Sequence, residues 1–163
     1  MSERTVPAPI AEIAAGIEST VSGFSDSDAR WSWLLRLAKE HPAMDASLRD
    51  DRFLVKGCAT RLYLVPKFEE GRIWFETDTD AGDSSPLIVR GLAALAQRLC
   101  SGQTPADVLA FDPEFFRRTG IHGALSATRA NGFASLLRQI RLYADVFGRM
   151  AAAGKAAEAP SGD

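Results

Sequence analysis

The sequence predicts an α+β domain in which a small antiparallel sheet of two or three strands is packed on one side by helices. Three observations predict it. Apolar residues recur at helical spacing before residue 42 and again after residue 85. Between these blocks, residues 59–68 and 72–77 alternate with period two around a Glu69-Glu70-Gly71 turn, the pattern of a β-hairpin. The order is helices, strands, helices, without the strand-helix alternation of a parallel sheet. At 163 residues, 46% hydrophobic and 25% charged, the chain has the size and composition of one domain with one core.

The first helix is read from Pro9 to Val21, with Ile10, Ile13, Ala14 and Ile17 on one face. Asp26, Ser27 and Asp28 supply cap candidates for a second, whose inward stripe is Trp31, Leu34, Leu35 and Ala38 and which stops before Pro42. A short third strand is read around Phe53 to Lys56, and TDTDAGDSS as a loop rich in Asp, Ser and Thr. Ser85-Pro86, Thr104-Pro105 and Asp112-Pro113 each place a capping oxygen before a proline, whose missing N–H costs nothing in a first helical turn. They start three helices, which end at Cys100, after TPADVLA and at Gly120. Ser126 caps the last, which runs to about Met150 with Phe133, Leu136, Leu137, Ile140 and Ala144 inward. Residues 9–150 form the domain. Residues 1–8 and 151–163, short of apolar periodicity, are expected to be flexible.

A formal charge of -2 provides no positive field for nucleic acid. The most apolar stretch, PLIVRGLAALAQRLC, carries Arg90 and Arg98 and is shorter than the roughly 20 residues that span a bilayer. It reads as a buried helix. The N-terminus lacks the basic and apolar regions of a secretory signal, so a cytoplasmic protein with reduced thiols is expected. Two cysteines cannot build a disulfide scaffold or, alone, a four-ligand zinc site.

Cys58 stands where VKGCATRLYL passes from loop to strand, after Gly57, whose lack of a Cβ permits a turn closed to other residues. Lys56 and Arg61 flank it, and a nearby cation favours the nucleophilic thiolate. The local sequence by itself favours a small buried hydrophobe, since free cysteine is among the most buried residue types. Cys100, at helical spacing from Ala96 and Ala93, reads as core. His41 and His122 show no spacing that pairs either with Cys58 as a catalytic base. Asp78, Asp80 and Asp83 lack the later Glu of a calcium loop and read as capping and solvated residues.

VKGCATRLYL, GDSSPLIVRGLAAL, SGQTPADVLAFD and LSATRANGFASLLRQIR, in this order and spacing from about Phe24 to Val146, resemble the SufE family of sulfur-acceptor proteins. The matching elements are Gly57-Cys58 before a strand, the Gly82-Asp83-Ser84 turn, Arg90-Gly91, Thr104-Pro105, and a Ser-x-x-Arg-x-x-Gly entry made by Ser126, Arg129 and Gly132. The resemblance implies a fold similar to the IscU-type scaffold, and a persulfide carrier rather than a stand-alone enzyme. It implies that Cys58 takes sulfur from a PLP-dependent cysteine desulfurase, stimulates it, and passes the sulfur to an iron-sulfur scaffold complex. Gly57, Lys56, Arg61, Arg129 and Asp83 would support Cys58. PLP would belong to the partner, leaving this chain without cofactor or metal, as a monomer or weak homodimer. The alternative is a non-catalytic module that docks a desulfurase without carrying sulfur. The chain departs from the family pattern at Ala59-Thr60, at Tyr63 in place of Trp, at Ser85 in place of Asp, and by about four extra residues, TDTD. In the free protein Cys58 is expected to lie against Leu62 and residues near Leu92, in a loop that swings out on docking.

Overall fold

Proline and aspartate set the first two helices of the protein, whose computed structural model describes residues 4–80 and 87–157. Pro9 precedes α1 (Ile10–Ser22), which buries Ile10, Ala14, Ile17 and Val21. The Asp26 carboxylate accepts the Ala29 N–H at 3.0 Å and starts α2 (Ser27–Glu40). The buried stripe of α2 is Trp33, Leu34, Leu37 and Ala38, so the predicted stripe is buried at Leu34 and Ala38, while Trp31, packed against the core, and Leu35 are half-buried. The apolar arc there is wider than one helix face, and periodicity alone leaves its direction open by about one residue.

The hairpin pairs β1 (Leu62–Glu69) with β2 (Arg72–Thr79) antiparallel, Leu62 opposite Thr79 and Glu69 opposite Arg72. Glu70 and Gly71, both at positive φ, make its two-residue turn. β2 continues two residues past the predicted Thr77, taking in residues that the sequence assigns to a loop. The expected third strand shrinks to a single bridge from Leu54 to Tyr63, because residues 51–53 turn as a 3-10 helix.

α3 (Leu87–Cys100) is the central element, in contact with α1, α2, β2 and α6 and buried along nearly its whole length. Its predicted cap, Ser85-Pro86, lies outside the described residues. At Gly91 a Cβ would land on the Leu34 carbonyl oxygen, so the α2–α3 crossing requires glycine there. Thr104 caps α4 (Pro105–Ala110), accepting from the Asp107 N–H, and α5 (Glu114–Arg118) is followed at Gly120 by a turn with φ 81°. α6 (Ala127–Ala157) follows Ser126 and runs seven residues beyond its predicted end at Met150. At the other end, the Ala8 carbonyl accepts from Gln103 and the Arg4 guanidinium lies over Trp74, so residues 4–8 lie along the body.

One polar cluster ties these layers together. Asp78, 3% exposed, accepts from Arg90 Nε at 2.7 Å, Arg49 Nη2 at 2.7 Å and the Met44 N–H at 2.9 Å. Arg90 also donates to the carbonyls of Ala38 and His41 at the end of α2. His41 donates from Nε2 to the Thr77 carbonyl at 2.7 Å, and burial lowers its pKa. For Asp78, burial acts to raise the pKa, but the Arg90 hydrogen bond and then the Met44 and Thr79 N–H groups hold it below the ordinary carboxylate value. Reading Asp78 and Asp80 as solvated loop residues is thus corrected: Asp80 accepts from Arg61 Nε at 2.6 Å, and both aspartates hold arginines.

Asp78→Asn should cost about 3 kcal/mol at neutral pH, the loss typical of removing one partner of a buried ion pair, read as a lower urea midpoint at unchanged slope. Because the folded pKa is depressed, the carboxylate's contribution is complete above the unfolded value of about 4 and is lost as pH falls through the folded one. The gap between wild type and variant should therefore close in acid. A variant as stable as wild type at pH 7 would contradict the role given to Asp78.

Candidate functional site

Two contacts pin the base of the loop that carries Cys58. The Val55 N–H donates to the Leu62 carbonyl at 2.8 Å, and the Asp80 N–H reaches the Arg61 carbonyl at 3.3 Å. Gly57 turns the loop at φ 87°, a conformation that residues with a Cβ rarely adopt. A side chain there would also strike α6, since a Cβ on Gly57 would lie 2.7 Å from Ser135 Oγ.

The turn lays Cys58 against α6 at its second glycine contact. A Cβ on Gly132 would stand 3.0 Å from Cys58 Sγ, so the helix leaves a notch for the sulfur. The half-buried thiol lines a pocket of about 490 Å³ whose apolar wall includes Leu62, Val89, Leu92, Phe133 and Leu136. Cys58 therefore lies with Leu62 and Leu92, as the sequence led one to expect. Ser126, Thr128 and Arg129, from the start of α6, add polar groups to the lining. The Arg129 guanidinium carbon is 5.2 Å from the Trp31 ring centroid, and this stacking holds its charge at the pocket.

Burial raises the Cys58 pKa, and a hydrogen bond from the Thr60 N–H offsets only part of the effect. The tucked thiol is consequently protonated at neutral pH. This changes the expectation for Arg61, whose guanidinium is held by Asp80 at 2.6 Å and Asp51 at 2.8 Å rather than directed at the sulfur. Lys56 is exposed and, among the described residues, forms no ion pair. Asp83 lies outside the described residues. Cys100 is buried on α3 with its pKa pushed up to about 12, an inert core thiol. His41 and His122 do not line the pocket.

Ser135 and Arg138 escape a reading by residue type. Ser135 is buried and donates from Oγ to the Gly57 carbonyl at 3.3 Å, while Arg138 Nη2 donates to Ser135 Oγ at 2.9 Å. The available signal was a serine three residues after Gly132, on the same helical face. The arrangement holds one thiol in an apolar notch with the Arg129 cation in the pocket lining.

A model of the SufE family, described as an Fe-S metabolism associated domain, matches residues 15–144. Among curated relatives, an uncharacterized SufE-like protein of Synechocystis is 27% identical over 147 residues, covering 90% of this chain and 87% of the relative. The sulfur acceptor protein CsdE of Escherichia coli is 30% identical over 129 residues, 78% of this chain and 84% of the relative. The solution structure of a hypothetical protein from Thermus thermophilus superposes with a TM-score of 0.66 at 19% identity, covering 87% of this chain and 97% of that one. That likeness shows the fold.

Alkylation of Cys58 in the isolated protein, followed against pH on its own peptide, should have its midpoint above the ordinary thiol value of about 8.5. The sign follows from linkage: with the folded pKa raised, tucking of the loop is most favoured below the ordinary thiol value and is lost as pH rises through the raised one. A midpoint at or below the ordinary value would contradict the burial argument.

Proposed function

The chain belongs to the SufE family, and on that premise we propose that Cys58 accepts sulfane sulfur from the persulfide of a PLP-dependent cysteine desulfurase. In this reading the chain also stimulates the desulfurase and passes the sulfur to an iron-sulfur scaffold complex, in the cytoplasm where thiols stay reduced. The observation that carries the reading is the placement of Cys58 on a glycine turn, pinned at its base and lodged at Sγ in the notch of Gly132. The relative named a sulfur acceptor supports the same direction of transfer.

The chemistry is a displacement at sulfur. Cys58 gives up its proton to solvent, and its thiolate attacks the terminal sulfur of the donor persulfide. The donor S–S bond breaks as the new one to Cys58 forms, and the donor cysteine leaves as a thiolate. The sulfane sulfur keeps its oxidation state and its proton, so no outside oxidant or reductant enters. PLP stays with the partner, and this chain needs no cofactor or metal of its own.

Attack is favoured once the loop leaves the notch, because the tucked sulfur is half-buried and its pKa is raised. Docking supplies that step, and Lys56 and Arg129 then provide cations for the exposed thiolate and for the persulfide. Returned to the apolar pocket, the persulfide is kept from oxidants and small thiols.

Added to a cognate desulfurase, the wild-type chain should raise alanine release from cysteine, and Cys58→Ala should abolish that increase. Stimulation undiminished in Cys58→Ala would sink the reading in favour of a module that docks without carrying sulfur. Arg129→Ala should lower the stimulated rate about two- to fivefold, as expected for loss of a solvent-accessible ionic contact, and Arg129→Lys by less.

A further inference from the structure

Besides the close approaches at Gly57 and Gly132 and the apolar wall of Phe133 and Leu136, one hydrogen-bonded chain joins the Cys58 loop to α6. Ser135 Oγ accepts from Arg138 Nη2 at 2.9 Å and donates to the Gly57 carbonyl at 3.3 Å. A guanidinium can only donate, so Ser135 receives it on a lone pair and keeps its one proton for the carbonyl. The cationic donor also polarises the O–H and strengthens the second bond. In the middle of a helix a serine commonly bonds back to a carbonyl of its own preceding turn. Ser135 instead reaches across to the residue just before Cys58. Among the described residues, no other side chain from outside the loop hydrogen bonds to residues 56–60.

We infer that Ser135, set by Arg138, is a positioning residue that latches the Cys58 loop to α6 and so determines how often the sulfur is presented. This rests on the reading that a moving Cys58 carries sulfur, and it adds which groups restrain the motion. The latch holds the Gly57 carbonyl, one residue from the sulfur, while the loop base is fixed separately through Val55 and Leu62. Breaking the latch thus frees the tip of the loop and leaves the hairpin in place. Gly57 itself is exposed, so water replaces the lost donor on its carbonyl and the open loop carries no buried orphan.

The test uses the isolated full chain and iodoacetamide at pH 7.5, with the modification rates of Cys58 and Cys100 followed separately by peptide mass spectrometry. Cys100 is buried on α3 and reports global unfolding. In Ser135→Ala, Cys58 should react about three- to tenfold faster than in wild type, the range expected for loss of one hydrogen bond, with the Cys100 rate unchanged. Ser135→Thr, which keeps the hydroxyl, should return the Cys58 rate toward wild type. An unchanged Cys58 rate in Ser135→Ala, or a rise matched by an equal rise at Cys100, overturns the latch. Because no desulfurase is present, the outcome separates from the sulfur-acceptor reading. Faster alkylation on a chain that takes up no sulfur would leave the latch standing and remove that reading, whereas sulfur uptake with unchanged alkylation would remove the latch alone.

Discussion

The buried carboxylate of Asp78 is the contact on which the rest of the arrangement depends. It sits near the end of β2 and gathers Arg90 from the central helix and Arg49 and Met44 from the segment after α2. Arg90 in turn holds the last carbonyls of α2. Leu62, the first residue of β1, is paired with Thr79, the neighbour of Asp78, so the cluster also fixes where the Cys58 loop is anchored. A charge is costly to bury without partners, and here each carboxylate oxygen has hydrogen-bond donors in reach.

From that frame the loop reaches over to α6, and the site becomes a balance between protection and reactivity. An apolar notch half-buries the sulfur, and the same desolvation raises the thiol pKa and disfavours the nucleophilic thiolate. In the proposed function, reactivity comes from movement, with the arginine at the pocket and the exposed lysine beside the turn acting on the sulfur after it leaves. Gly132 makes the inward position fit, Gly57 makes the turn, and Ser135 limits departure from it.

The helices that pair an Asx or Ser/Thr oxygen with a following helical turn were legible in the sequence because their caps are local: Asp26 and Thr104 bond within their own first turns. The hairpin was legible for the same reason, through period two and a turn glycine. What sequence could not resolve depends on distant partners. TDTD looks like a solvated loop until Arg49, Arg61 and Arg90 arrive from three other segments to meet Asp78 and Asp80. Arg61, adjacent to the cysteine loop in sequence, is drawn away to two aspartates, whereas Arg129, far along the chain from Cys58, lines its pocket. Cys58 was identifiable as the residue of interest through its motif. Its notch, a glycine on the last helix placed against a sulfur on a loop, is a tertiary relation that no local pattern encodes.

The central claim, that Cys58 carries sulfur, is tested most directly by intact-mass and peptide analysis of the full chain after incubation with a cognate cysteine desulfurase and cysteine. The expected result is a gain of one sulfur atom on the Cys58 peptide, removed by dithiothreitol and absent from Cys58→Ser. No gain on the wild-type chain, or the same gain in Cys58→Ser, would contradict it.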